Sequence, residues 1–278
     1  MKTYEQALNE GREKLLEAGI EEYAVDAFLL MSESLGISKT AYYMKQKDII
    51  SDADYETYMS VIARRQTHEP LQYITGRAYF MGYEFWVNEN VLIPRMDTEC
   101  LVIEAEKLLN GNSANILDMC TGSGCIITSL MLRNPKMSGM GTDISEDALA
   151  VAKKNATRLS CENVSFIQGD LFENITGKFD MIVSNPPYIR TNVIKGLMEE
   201  VRSYEPYNAL DGHEDGLYFY REITKNASKY LKEDGFLCYE IGHDQGVDVI
   251  RIMEENHFKD CRVIKDLAGL DRVVTGHL

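Results

Sequence analysis

The chain has 278 residues, 45% of them hydrophobic, enough to build one large domain and a small one. Its 44 acidic residues outnumber 29 basic ones, for a net charge of −15 with no long Lys/Arg block, which argues against a large duplex-nucleic-acid surface because phosphates are bound by clustered cations. Six scattered cysteines and five dispersed histidines offer no disulfide framework and no zinc spacing, so a reduced protein without a metal is expected.

The first residues lack the apolar core of a signal peptide, and no stretch has the length of a membrane span, so a cytoplasmic protein is expected. Residues 1–70 read as a small helical domain. Thr3-Tyr4-Glu5-Gln6 is a capping-box pattern, and Tyr4, Ala7, Leu8, Gly11 and Leu15 then share one helical face. A second helix carries Tyr23, Ala27, Phe28, Leu30 and Met31 and stops near Gly36. A short one spans 38–44. Asp52 is the expected cap of a fourth, with Tyr55, Met59, Ile62 and Ala63 inward and Glu69-Pro70 as its end. Residues 71–92 are rich in β-formers (Tyr73, Ile74, Tyr79, Phe80, Phe85, Trp86) broken by Gly76 and Gly82, and read as a β-hairpin linker. Arg95 follows an apolar run, either as a surface charge or as part of a site at the domain junction.

Residues 93–278 form the second expected domain. From Asp97 helix and strand alternate, with strands near 115–119, 138–143, 164–168, 179–184 and 236–241, and helices near 97–109, 124–134, 146–159, 217–232 and 246–256. Alternation of this kind means an α/β fold with a mostly parallel sheet covered on both faces. Two closing strands near 262–265 and 272–275, with no helix between them, predict an antiparallel edge.

The ends of successive strands carry the chemistry. The first is followed by Cys120-Thr121-Gly122-Ser123-Gly124, a loop whose glycines let a ligand approach the backbone. It is not the G-x-G-x-x-G fingerprint, and Asp118 precedes it. A pyrophosphate is poorly served by a carboxylate there, whereas a cofactor bearing an ammonium and a sulfonium tolerates one. Asp143 closes the next strand, placed to accept from ribose hydroxyls. Asp170 follows the third, placed for an adenine amine, with Leu171 and Phe172 available to flank a ring. The fourth strand runs into Ser184-Asn185-Pro186-Pro187-Tyr188. Two prolines fix φ and remove donors, leaving a stiff corner. The amide carbonyl of the Asn185 side group and the Pro186 backbone carbonyl can grip both hydrogens of an –NH2 group, and Tyr188 offers a flat face. Alone, this tetrapeptide is also an ordinary proline-rich turn. In order with the other three strand ends, it reads as an S-adenosylmethionine pocket beside an amine-gripping corner.

On these residues the chain resembles the HemK/PrmC family, the protein-(glutamine) methyltransferases that modify peptide chain release factors. The likeness includes Glu69-Pro70-Leu71-Gln72-Tyr73-Ile74, Leu92-Ile93-Pro94-Arg95 with Thr98-Glu99, Asp118 with Thr121-Gly122-Ser123-Gly124, Asp143-Ile144-Ser145, Asn185-Pro186-Pro187-Tyr188, Tyr204-Glu205-Pro206 and Asp271-Arg272-Val273-Val274. The resemblance implies a seven-stranded Rossmann-like class I methyltransferase sheet behind a small helical substrate-recognition domain. It implies methylation of the glutamine in the Gly-Gly-Gln motif of class I release factors, with S-adenosyl-L-homocysteine as product. A monomer that binds neither membrane nor nucleic acid directly is expected. Cofactor positions carry over to Thr121, Gly122, Ser123, Gly124, Asp143, Leu171 and Asn185, and substrate positions to Asn185, Pro186, Pro187 and Tyr188. Cys120 stands where many members have glycine, which matters only if that backbone needs a positive φ. Glutamine methylation of a ribosomal protein and adenine methylation of DNA are the alternatives.

Overall fold

The computed structural model describes residues 1–278. It divides into two compact units: Met1–Arg77 together with Met198–Tyr204, and Ala78–Leu197 together with Glu205–Leu278.

The first unit holds α1 (Tyr4–Glu17), α2 (Tyr23–Leu35), α3 (Lys39–Lys45), α4 (Asp52–Gln66) and α5 (Leu71–Thr75). Thr3 and Gln6 close a capping box at the start of α1, and Ala7, Leu8, Gly11 and Leu15 form its buried face. Ser51, not Asp52, caps α4 by accepting from the Asp54 N–H; Asp52 is the first helical residue, where its charge suits the positive end of the helix dipole. Tyr58, Ile62 and Arg65 are the buried residues of that helix, and Ala63, expected inward, is exposed. The Tyr58 hydroxyl accounts for the difference, since it donates to the Ala27 carbonyl of α2 at 3.2 Å and so draws its own face inward. The stretch 71–92 is not all hairpin. Pro70 starts the short α5, because a proline costs nothing at a helix entrance, and Gly76 ends it in the left-handed conformation at φ 70°. Only β1 (Arg77–Phe80) and β2 (Tyr83–Trp86) form the hairpin.

The second unit continues with a 3-10 turn at Met96–Thr98, then α6 (Glu99–Leu109), β3 (Asn115–Met119), α7 (Cys125–Arg133), β4 (Ser138–Asp143), α8 (Glu146–Arg158), β5 (Val164–Gln168) and β6 (Phe179–Ser184). After β6 come the short α9 (Thr191–Ile194), the first-unit segment α10 (Glu199–Tyr204) and α11 (Tyr207–Leu210). The chain ends with α12 (Tyr218–Ala227), β7 (Leu231–Glu240), α13 (Gly246–Glu255), β8 (Lys259–Lys265) and β9 (Asp271–His277). Helix α12 is shorter than expected and β7 longer. Lys232-Glu233-Asp234-Gly235 reads as a loop, yet Leu231 pairs with Phe179 and the polar residues are taken up by a register shift.

Seven strands make one sheet in the order β5-β4-β3-β6-β7-β9-β8. The first five run parallel and β9 is antiparallel to both neighbours. Side chains alternate across the central strands. Ile116, Met181 and Val183 pack on one face with the hairpin's Phe80 and Phe85 and with Leu101, Ile126 and Ala156. Leu117, Met119 and Ile182 pack on the other with Tyr220, Ile223 and Val249. The chain leaves β3 towards β4 on one side and, after β5, returns to β6 on the other. The reversal falls between β3 and β6, and a crevice opens beyond the carboxyl ends of strands at such a point.

Candidate active site

Register decides which strand ends meet. Met119 of β3 is level with Thr142 of β4 and with Ser184 of β6. One residue further along, Cys120, Asp143 and Asn185 stand in a row above the reversal point. Asp143 is in turn level with Gln168 of β5, which brings Gly169, Asp170 and Leu171 to the same edge. A cavity of about 320 Å³ lies there. Its walls include Asn90–Arg95, Cys120–Ser123, Asp143, Ile144, Gly169–Leu171, Asn185 and Pro187.

The glycine loop is shaped by backbone rather than side chains. Gly122 has φ 52°, with no atom within 4 Å of where a Cβ would sit, so its open side faces a ligand. Gly124, at φ 75°, caps α7, and a Cβ there would lie 3.0 Å from Ala152 Cβ. Gly124 does not line the cavity; it lets the loop sit tightly on α8. Cys120 adopts φ 60° and Leu171 φ 50°, both left-handed conformations that L residues enter only with strain. Cys120 therefore occupies a backbone position that glycine would hold without strain.

Asp143 is half-buried. Its Oδ2 accepts the Gly122 N–H at 2.9 Å and its Oδ1 the Ser145 N–H at 3.0 Å, so it fixes the loop as well as facing the cavity. Burial raises its pKa, against the backbone N–H groups that lower it. Asp118 has a different place from the one expected. It is fully buried beneath the loop, accepts the Thr121 hydroxyl at 2.6 Å, and does not reach the cavity. Burial pushes its pKa up to about 7. The parallel strand alternates faces, and Asp118 falls on the one under α7. Asp170 is exposed at the rim, whereas Phe172 stacks on Tyr230 at 4.5 Å between centroids and belongs to the core. The ring-flanking candidates on the cavity wall are Leu171 and Ile144, the latter 58% exposed.

At the fourth strand end, the Ser184 hydroxyl donates to the Met119 carbonyl at 2.7 Å and anchors the corner to β3. Asn185 Nδ2 donates to Thr98 Oγ1 at 3.4 Å, leaving Oδ1 for the cavity. Pro186 is buried, and no hydrogen bond within the chain engages its carbonyl. Tyr188 does not line the cavity as a flat face. Its hydroxyl turns inward to donate to Glu240 Oε1 at 3.4 Å, and burial drives its pKa far up. The Tyr188 carbonyl accepts from Gln245 Nε2 at 3.1 Å. Arg95 lines the cavity and is ion-paired with the buried Glu205. Asn90–Ile93, Ile144, Thr98 and Glu240 were not legible in the sequence as site residues. Glu240 carried a usable signal, an acid ending an apolar strand, the same signal that drew attention to Asp143.

Comparison with known proteins agrees with this geometry. The family model described as the PrmC N-terminal domain matches residues 6–76, and that of the methyltransferase small domain matches residues 95–201. The chain is 42% identical to a release factor glutamine methyltransferase of Thermodesulfovibrio yellowstonii, over 86% of this chain and 87% of that one. It is 39% identical to one from Geobacter sulfurreducens, over 99% of this chain and 97% of that one. This chain belongs to the release factor glutamine methyltransferase family. Among solved structures, a methyltransferase from Pyrococcus furiosus shares the fold, with a TM-score of 0.52 and 15% identity over 71% of this chain and 90% of that one.

Proposed function

We propose that this chain transfers a methyl group from S-adenosylmethionine to the side-chain amide nitrogen of the glutamine in the Gly-Gly-Gln motif of class I peptide chain release factors, in the cytoplasm. The observation that carries this reading is Asn185 on the cavity wall, its Nδ2 turned to Thr98 and its Oδ1 left for the cavity, beside an uncovered glycine loop; Pro186, buried, is not itself on that wall. The cavity's residues fit the methyl donor. Gly122 leaves room against its backbone, Asp143 is placed for ribose hydroxyls, and Ile144 and Leu171 present apolar surface from adjacent strand ends to an adenine ring. Asp170 at the rim suits the ring's amine. The only Lys or Arg on the cavity wall, Arg95, already has a carboxylate partner, so a phosphate-bearing dinucleotide is poorly served.

When bound, S-adenosylmethionine supplies an electrophilic methyl: the S–CH3 bond breaks as an N–CH3 bond forms, and sulfur keeps the electron pair as the neutral thioether of S-adenosylhomocysteine. The protein's task is to make a poor nucleophile serve. An amide nitrogen shares its lone pair with its carbonyl. Asn185 and Pro186, each accepting one N–H, hold the nitrogen still and favour the pyramidal geometry that frees the lone pair. Orientation of this kind is worth up to ~7–11 kcal/mol in well-ordered cases. After transfer the nitrogen is strongly acidic and needs no dedicated base.

The test is incubation of the purified protein with labelled S-adenosylmethionine and, separately, a class I release factor, ribosomes and duplex DNA. Label is expected in the release factor, in the peptide carrying Gly-Gly-Gln. Label in ribosomal protein or DNA, with none in the release factor, overturns the reading.

A further inference from the structure

The two prolines make the corner from Asn185 to Tyr188 a stiff piece, so the place of Asn185 is set by what holds its two ends. The upstream end is held by Ser184, whose hydroxyl donates to the Met119 carbonyl of β3 at 2.7 Å. The downstream end is held by a residue far along the chain. Gln245 stands at the start of α13 and is 2% exposed, yet its side chain makes no capping bond to that helix. It reaches across to the corner instead. Nε2 donates to the Tyr188 carbonyl and to the Gly216 carbonyl, each at 3.1 Å. Oε1 accepts the Gly242 N–H at 2.9 Å, and the Tyr220 hydroxyl lies 3.4 Å from it.

This amide has no freedom to turn over. Two backbone carbonyls, which only accept, face one end, and a backbone N–H, which only donates, faces the other. Two glycines let the parts come this close. A Cβ on Gly216 would lie 2.4 Å from the Tyr188 carbonyl oxygen and 2.8 Å from Gln245 Nε2, and one on Gly212 would lie 2.7 Å from Tyr188 Cα. A short ladder adds to the hold: the Ile189 N–H donates to the Leu210 carbonyl at 3.0 Å, and the Gly212 N–H to the Ile189 carbonyl at 2.8 Å. The loop fastened in this way supplies Asn208, His213, Tyr218 and Phe219 to the cavity wall, whereas Gln245 itself does not line the cavity. We propose that Gln245 is a positioning residue for methyl transfer: its two N–H bonds lock the downstream end of the corner to the Gly216 loop and so hold Asn185 in place at the cavity. The inference rests on the amine-gripping role of Asn185 proposed above.

Two variants separate the two ends of the amide. Gln245→Glu keeps an oxygen for the Gly242 N–H but has, in either protonation state, at most one proton for the two carbonyls. Gln245→Met fills the space and bonds at neither end. The measurement is single-turnover methyl transfer from labelled S-adenosylmethionine to a purified class I release factor by the full-length protein, with cofactor Kd and release factor KM determined separately. Both variants are expected to lose roughly ten- to hundredfold in rate, the scale of a buried carbonyl left without its donor, with Kd and KM within about twofold of the parent. The bonds from Asp143 to Gly122 and Ser145, which shape the cofactor side, are untouched. Gln245→Glu should be nearly as slow as Gln245→Met, because the lost donors are what the two share.

A parent rate for Gln245→Glu, alongside an inactive Asn185→Ala, overturns this inference and leaves the reading of the site standing; if only Gln245→Met is slow, the amide serves the Gly242 turn and not the corner. A near-normal rate for Asn185→Ala overturns that reading itself, and this inference with it. Losses that follow cofactor affinity, or that vanish when rates are corrected for the folded fraction, mark Gln245 as merely structural and also overturn the proposal. If neither variant folds, Gly212→Ala carries the test. It leaves the Gln245 amide in place and presses the loop away from Tyr188 Cα, so it should lose rate at unchanged cofactor Kd; a parent rate overturns the proposal.

Discussion

Single residues at the strand ends carry the chemistry, and two of them make separable predictions. Asn185→Ala removes an acceptor that matters most as the amide nitrogen loses electron density in the transition state. Preorganised polar groups of this kind are worth ~2.7–4 kcal/mol, so single-turnover transfer should fall about a hundred- to thousandfold. Cofactor binding, followed by calorimetry, should change little, because Gly122 and Asp143 are untouched. Cys120 tests backbone strain. At φ 60° a Cβ is unfavourable by about 1–2 kcal/mol, and glycine, which has none, avoids that cost. Elsewhere in a fold glycine is the less stable of the pair Gly/Ala, because it gives the unfolded polypeptide more freedom. Here the order should invert, with Cys120→Gly more stable than Cys120→Ala by about 1 kcal/mol in denaturant titration. Alanine equal to or better than glycine would show that the loop relaxes to a negative φ at no cost.

Among the elements, α10 is the one whose placement could not be foreseen. It lies in sequence between β6 and α12, yet it belongs to the helical unit. Its Glu200 accepts from Arg65 Nη2 at 2.6 Å, while Arg65 Nε donates to Asp26 of α2 at 2.8 Å and Nη1 to the Glu69 carbonyl at 3.1 Å. Arg65 and Asp26 are both almost fully buried, and burial pushes the Asp26 pKa up against the guanidinium that lowers it. Arg65→Met keeps the packing volume and strands the Asp26 carboxylate. Removing one partner of a buried pair costs ~3–5 kcal/mol, so the variant should unfold at clearly lower denaturant. Asp26→Asn in the same background should restore part of the loss, since it removes the stranded charge. No restoration would mean that α4 depends on Arg65 for packing alone.

At the scale of the whole molecule the balance of charge sets a pH dependence. Burial pushes both Asp118 and Glu240 up to about 7. An acid whose pKa rises on folding binds its proton more tightly in the native state. The stability it contributes is complete below its unfolded pKa, near 4, and is lost as pH rises through about 7, at up to about 1.4 kcal/mol per unit for each group. Asp180, Asp211 and Asp244 act in the opposite sense. Their lowered pKa values, offset from burial by backbone N–H groups, Lys232, Thr191 and Arg190, give stability that is lost only as pH falls below the usual carboxylate range. The net charge of −15 at neutrality adds repulsion on the alkaline side. Thermal stability should therefore be highest near pH 4 and decline between about pH 4 and 7. Asp118→Asn, which has no charge to lose, should show a shallower decline in calorimetry; a slope equal to the parent's would mean that Asp118 is already ionised at the acid end of that range.

What the sequence determined by itself is the local part of this structure. Asn115–Met119, Ser138–Asp143, Val164–Gln168 and Phe179–Ser184 were legible because each is a short strand bounded by turn residues in a regular alternation with helices. The strand-end residues followed from them, since in such a sheet the carboxyl ends hold the ligand. Helix α5 and the start of β7 were not legible, because Leu71–Thr75 has β-forming side chains and Lys232–Gly235 has loop-forming ones. Tertiary context overrode both propensities, through Pro70 and Gly76 at the ends of one and the pairing of Leu231 with Phe179 in the other. The sequence also could not say that Asp118 lies under the loop while Asp143 faces the cavity, since both are acids at strand ends. Nor could it join Thr98 to Asn185, Tyr188 to Glu240, or Asp26, Arg65 and Glu200. Periodicity records which face of an element is buried. Which residues from distant elements share that burial depends on strand order and register, and only the folded structure fixes those.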